Sequence, residues 1–391
     1  MAVAMAAALV LAACGGDEDD STVTDDTNGT GAPAAKTVTI GFMGALTGDN
    51  ANLGINIRDG IQLAVDEANA KNDGITIAVK AFDTAGDPAQ AGTVKDQVIG
   101  DRSVIGIVGP AFSGESKAVI PALEAAGLVM ISPSATNVGL PDVVPNSKVF
   151  HRVIADDALQ AAGIAAYLAD TAKPTAVAYV HDNSEYGKGL TEDLVGQATA
   201  KGVKSVLTET VDPKAEDFSA TVNKVNAAKP DLVFYGGYYA EAGRFKKQLA
   251  DAGSTATFVS GDGSLDPGFV TAAGAASAEG ARLSCPCNLA FSSSEGKLKT
   301  FYDDFKAKIG KEPGLYSPEG YDAAGVLIQG IKAGNTDRAS LLNYLETTFT
   351  SYEGVSKTVQ FAPNGNVTSK DFFVFQVKEG KLAPLETIKV G

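Results

Sequence analysis

Short β-branched runs alternate with longer alanine-rich or amphipathic stretches from residue 37 onward, and few folds accommodate that order. Strand followed by helix in repeated succession is the pattern of βαβ units, in which helices cover both faces of a parallel sheet. The first run is Thr37 to Ala45, followed by a helix over Leu53 to Lys71 in which Ile57, Ile61, Val65 and Ala68 recur at three or four residues. Thr76 to Phe82 reads as the next strand. Asp87-Pro88 then reads as an N-cap followed by a proline at the first helical position. Val104 to Gly109, a helix from about Gly114, and Leu128 to Ser132 complete one open-sheet unit.

After Pro141, Pro145 and the extended segment Val149 to Val153, the alternation restarts with a helix over Ala158 to Asp170. Strands at 176–181, 203–209, 232–236 and 257–260 are separated by helices from Tyr186, at 218–228 and at 240–252. Residues 295–348 read as three helices, and Val355 to Phe361 and Phe372 to Val377 as two closing strands around an Asn364-Gly365 turn. The absence of a short fixed period excludes a solenoid. A chain of 391 residues with 45% hydrophobic and 20% charged side chains is globular in composition, and two sizeable lobes are expected.

The net charge of −15 repels phosphate backbones and anionic membrane surfaces, so nucleic acid is not an expected partner. Six acidic side chains and a single lysine lie within residues 15–36, a stretch too polar to offset its own ordering entropy. It reads as a flexible tether. The apolar run of residues 1–13 is too short to span a bilayer and suits the core of a signal peptide. It ends in Leu11-Ala12-Ala13-Cys14-Gly15, which resembles the bacterial lipoprotein cleavage motif and implies a lipid on Cys14, although no basic residue precedes the run. Cys285 and Cys287 lack the second ligand pair of a structural zinc site. They are either free thiols or, in an oxidising exterior, a disulfide across two residues.

Catalytic machinery is not visible. There is no nucleophile elbow, phosphate loop or dinucleotide fingerprint, and His151 and His181 have no partner at ligand or triad spacing, so neither enzymatic activity nor a cofactor or metal is expected. In open parallel sheets, ligands bind beyond the carboxyl ends of the strands, where helix N-termini offer free N–H groups. The residues at those ends are Ser113-Gly114, Ser134-Ala135-Thr136, Tyr186, Tyr238 and Asp262. Hydroxyls at helix starts suit a carboxylate, an acidic side chain suits an ammonium, and tyrosine rings suit an apolar side chain.

In the same order along the chain come GFMGALTG, AFDTAGDPAQA, IVGPAFSG, VMISPSAT, VHDNSEYGKGL, FYGGYYAEAG and GYDAA. This series, spanning residues 37–380, resembles the periplasmic leucine/isoleucine/valine-binding proteins, the solute-binding subunits of ABC importers. The resemblance implies an α/β type I periplasmic binding fold: two Rossmann-like lobes with parallel central sheets joined by a three-segment hinge. It implies lobe 1 from residues 37–152 and 288–354, and lobe 2 from 153–287 and 355–391. It further implies a monomer that takes a branched-chain amino acid by hinge closure and hands it to a membrane permease and its ATPase.

By position, Ser113 and Thr136 match the hydroxyls on the ligand carboxylate, with Ala111 or Phe112 beside the first. Ser134 matches a carbonyl that accepts from the ammonium. Tyr186 and Tyr238 match second-lobe aromatics, Asp262 an acidic counter-charge usually supplied by glutamate, and Tyr316 an aromatic near the side-chain pocket. Two positions depart from the family: Leu53 stands near a frequent aromatic, and Gly86 and Phe112 replace a cysteine pair. An amide, urea or aromatic acid as ligand, or a sensor role, are the alternatives of the same fold.

Overall fold

The computed structural model describes residues 36–390. The signal peptide, Cys14 and nearly all of the acidic tether therefore lie outside the described residues. A first sheet of five strands has the order β2-β1-β3-β4-β5, all parallel: β1 Lys36–Gly44, β2 Ile75–Asp83, β3 Val104–Val108, β4 Met130–Ser132 and β5 Phe150–Arg152. Helices α1 (Ala51–Asn69), α2 (Pro88–Gly100) and α3 (Ser113–Ala125) connect them. The expected cap at the start of α2 is formed, with Asp87 Oδ1 accepting from the Ala89 and Gln90 N–H groups at 2.7 and 3.1 Å.

The chain then leaves for a second sheet through α4 (Asp157–Ala166), which widens into a π turn over Tyr167–Ala172. Five parallel strands follow: β6 (Val177–His181), β7 (Ser205–Thr210), β8 (Leu232–Gly236), β9 (Thr257–Ser260) and β10 (Arg282–Cys285). Between them lie α5 (Glu185–Ala200), α6 (Ser219–Ala228), α7 (Tyr239–Asp251), α8 (Pro267–Ala273) and the single turn α9 (Ala275–Ala278). Three helices, α10 (Gly296–Ile309), α11 (Ser317–Lys332) and α12 (Arg338–Thr347), return to the first lobe, where α11 packs on α1 and β3. A small ladder of β11 (Tyr352–Glu353) and β12 (Thr358–Val359) precedes the last crossing. Finally β13 (Asp371–Lys378) and β14 (Lys381–Lys389) extend the second sheet antiparallel, giving β14-β13-β10-β9-β8-β6-β7.

That last region corrects the expected hairpin. Asn364-Gly365 does not join two long strands; only Phe361 and Val367 bridge across it. Phe372, Val374, Phe375 and Val377 are all buried, which commits β13 to the second sheet beside β10, and its hairpin partner is β14 across Glu379-Gly380. Gly365 instead docks against β5, its carbonyl accepting from Arg152 N–H at 3.0 Å. A Cβ there would lie 2.0 Å from the Phe150 carbonyl oxygen, and its φ of 80° already favours glycine. Cys285 and Cys287 are joined by a disulfide, buried where the chain leaves β10, so the bonded alternative holds.

The four expected apolar positions of α1 are all buried, and their helix is pressed onto α11 through glycine. A Cβ on Gly60 would approach the Ser317 carbonyl oxygen to 2.2 Å, and one on Gly320 the Ile57 oxygen to 2.6 Å. Intrinsic propensity favours alanine over glycine in a helix by about 1 kcal/mol, but such backbone overpacking costs about 1–3 kcal/mol. Gly60→Ala is therefore expected to lower the unfolding free energy in a urea titration; a rise would show that the helices part without cost.

Candidate functional site

Strand β3 delivers its chain end to Phe112 and Ser113, and the start of α3 is held from below by a buried carboxyl. Glu115 accepts from the Phe112 N–H at 3.1 Å and from the Thr84 hydroxyl. Burial pushes Glu115 up to about 7, against those two hydrogen bonds. Ser113 Oγ accepts from Asn137 N–H at 3.2 Å, and Ser134 Oγ donates to the Ala111 carbonyl at 2.6 Å. Together these bonds fix the loops after β3 and β4 face to face.

The second sheet supplies the opposing wall. Ser184 caps α5, its Oγ accepting from Gly187 N–H at 2.8 Å, and this places Tyr186 on the first turn. Tyr238 caps the start of α7 and donates its N–H to Glu241 at 2.6 Å. Beyond β9 the chain makes a single turn over Asp262–Ser264. Gly261 and Gly263 flank that aspartate because the Tyr186 side chain lies across the backbone: a Cβ on either would fall within 2.4 to 2.8 Å of it.

Asp262 is 1% exposed and gathers donors from three elements. Its Oδ1 accepts from the Tyr186 hydroxyl at 2.6 Å and from Gln160 Nε2 at 2.9 Å, and its Oδ2 from the Tyr316 hydroxyl at 2.6 Å. Gln160 closes a second bond, accepting from Asp262 N–H at 3.0 Å. Tyr316 comes from the start of α11 and so reaches across from the first lobe; its φ of 64° is rare for a tyrosine and marks a side chain held in place by its surroundings. Among the described residues no cation pairs with Asp262. Burial pushes its carboxyl up, while the three donors hold it down. Asp157, fully buried nearby, is raised by burial and by the charge of Asp262.

Six of the eight expected residues line one inter-lobe cavity: Ser113, Ser134, Tyr186, Tyr238, Asp262 and Tyr316. Ala135 and Thr136 do not line it. Ala135 is tied down at both ends, its N–H to Ser132 Oγ and its carbonyl to Arg152, and the buried Thr136 hydroxyl has no hydrogen-bond partner among the described residues. Leu53 forms part of the wall, as its position implied, and Phe112 packs edge-on against Tyr238 with centroids 4.7 Å apart. Gln160, Asp157 and Glu115 escaped the sequence reading; each sits within a helix start with no local pattern that points at a ligand. The enclosed space is about 10 Å³, which is room for about one water.

A family model described as periplasmic binding protein matches residues 37–381. The chain belongs to the periplasmic binding protein family. Its members bind solutes and are not enzymes. Among similar curated proteins, a Leu/Ile/Val-binding protein of Rhizobium johnstonii is 31% identical over 354 residues, covering 89% of this chain and 94% of its own. A leucine-, isoleucine-, valine-, threonine- and alanine-binding protein of Pseudomonas aeruginosa is 29% identical over 347 residues, covering 88% and 90%. Among solved structures, the branched-chain amino acid transporter substrate-binding protein LivJ of Streptococcus pneumoniae, in complex with isoleucine, superposes with a TM-score of 0.82 at 29% identity, covering 91% of this chain and all of its own. An ABC-transporter solute-binding protein from R. palustris in complex with benzoate shares the fold at TM-score 0.80 and 19% identity, covering 90% and 96%. The type I periplasmic binding fold is thereby shown, with two lobes, and no described helix is long and apolar enough to cross a membrane.

The Glu115 carboxyl makes a pH prediction. Its folded pKa lies above the ordinary value of 4.5, so the folded state holds the extra proton and stability is lost as pH rises from about 4.5 to about 7. Glu115→Gln keeps the acceptor for Phe112 and removes the titration. Between pH 5 and 7 its unfolding free energy should fall less steeply than the parent's, by about 1 kcal/mol per pH unit; parallel curves would show that Glu115 does not hold that proton.

Proposed function

We propose that this chain is the solute-receiving component of an ABC importer for a branched-chain amino acid, leucine, isoleucine or valine. The observation that carries the reading is the buried Asp262, without a cationic partner among the described residues, facing the start of α3 across the cleft. A zwitterion answers both poles: its ammonium neutralises Asp262 and bonds the Ser134 carbonyl, and its carboxylate meets the Ser113 hydroxyl and the free N–H groups of α3. Ala135 sets the backbone between Ser134 and Thr136. Leu53, Phe112, Tyr186, Tyr238 and Tyr316 enclose the side chain. The names of the relatives support the same class of solute.

An amino acid needs more than the roughly 10 Å³ now enclosed. Entry therefore requires the lobes to part, and the ligand's ammonium takes a place on Asp262 beside the tyrosine hydroxyls as they close again. We place lobe 1 at residues 37–152 and 288–354 and lobe 2 at 153–287 and 355–391. A lipid on Cys14, exposed by removal of residues 1–13, and the tether to residue 36 hold this monomer near its permease.

Calorimetry against the twenty amino acids, with benzoate, urea and acetamide alongside, tests the ligand class. Leucine, isoleucine and valine are expected to bind, and Asp262→Asn, which preserves shape, to weaken them at least 100-fold. Binding of benzoate or an amide with no amino acid would overturn the reading, as would retained leucine affinity in Asp262→Asn.

A further inference from the structure

A second cavity, of about 480 Å³, opens between the lobes on the far side of the Asp262 turn. Its size falls within the roughly 300–1,000 Å³ of small-molecule sites. Val270, Leu289, Phe291 and Leu382 give it an apolar wall built from the second lobe and the segment that follows β10. Two polar side chains line it. Asn56, on α1, is 8% exposed and makes no side-chain hydrogen bond among the described residues. Asp266 is 1% exposed; its Oδ1 accepts from Asn52 Nδ2 at 3.0 Å and from Gly268 N–H at 2.7 Å, while its Oδ2 has no such bond among the described residues.

Asp266 Oδ2 and the Asn56 amide are open to the cavity rather than sealed in protein, so a ligand there can reach both. No cation stands within ion-pair distance of Asp266 among the described residues: Lys311, whose charge acts on Asp266 from farther off, pairs with Asp59 at 2.7 Å, and Lys306 with Glu312 at the rim at 3.1 Å. Lys381 also stands at that rim, where its charge acts on Glu312. An ammonium attached to an apolar body would meet Asp266 Oδ2 and Asn56 Oδ1 while its body packs on the apolar wall.

We propose that this cavity binds a small apolar primary amine, with its ammonium between Asp266 and Asn56 and its alkyl or aryl group against Val270, Leu289 and Phe291. It is separate from the cleft. Asp262 serves the cleft and Asp266, four residues on, serves this cavity, with the single turn of Asp262–Ser264 between them. An amine lacks the carboxylate that α3 and Ser113 recognise, so the two sites select different molecules.

Titration calorimetry of the folded chain with 2-phenylethylamine tests this. Saturable one-to-one binding is expected, weakened at least tenfold in Asp266→Asn and in Asn56→Ala, and abolished by Val270→Trp, which fills the cavity without touching a charge. Asp262→Asn is expected to retain it. Each variant is first checked for an unchanged thermal melting profile, and the three substitutions act independently should one fail to fold. Loss of binding in Asp262→Asn alone would put the amine in the cleft and overturn the proposal. So would equal binding by all variants, or none by the parent chain. Leucine affinity decides the cleft reading separately.

Discussion

A carboxylate buried between two lobes, held by hydroxyls and an amide but by no cation among the described residues, organises this molecule. Removing an ion from water costs several kcal/mol unless its lone pairs and its charge are both answered. In Asp262 the lone pairs are answered by Tyr186, Tyr316 and Gln160, which come from α5, from the start of α11 and from α4. The charge is left for something else. Because Tyr316 belongs to the first lobe and the other donors to the second, the same carboxylate ties the lobes together.

Further contacts across the interface follow the same logic. Asn50 at the mouth of α1 accepts from Ala240 N–H at 3.2 Å, Asn52 bonds Asp266, and Lys117 pairs with Glu185 at 2.8 Å. These are polar, partly exposed contacts, the kind that can be broken and remade as lobes move, in contrast to the glycine-mediated seam of α1 on α11 inside one lobe. Rigid lobes with a polar seam between them are what hinge closure requires. The Cys285–Cys287 disulfide and the buried Lys357–Glu319 pair at 3.2 Å stand beside the chain's passages between the lobes.

Much of the fold was legible because βαβ periodicity is a local property. The apolar spacing of α1 and the Asp87 cap of α2 are decided within a few residues, and they fold as read. The closing strands were not legible: Asn364-Gly365 carries a strong hairpin signal, but the burial of Phe372 and Val374 in a sheet remote in sequence outweighs it. Strand β14 has weak alternation because its register against β13 shifts between Glu386 and Pro384, so its pattern does not stand out from a loop.

The sequence by itself determined the two-lobed α/β plan and which side chains stand at the strand ends, since strand polarity and helix starts follow from short-range chemistry. Only the tertiary structure decided which of them meet. Ser113, Ser134, Tyr186, Tyr238, Asp262 and Tyr316 converge on one cavity, while Thr136 and Ala135 stay behind its wall. Gln160 and Glu115 owe their positions to contacts with Asp262 and Thr84, residues 102 and 31 positions away. Such contacts depend on how two sheets and their helices are packed, and no local spacing encodes that distance.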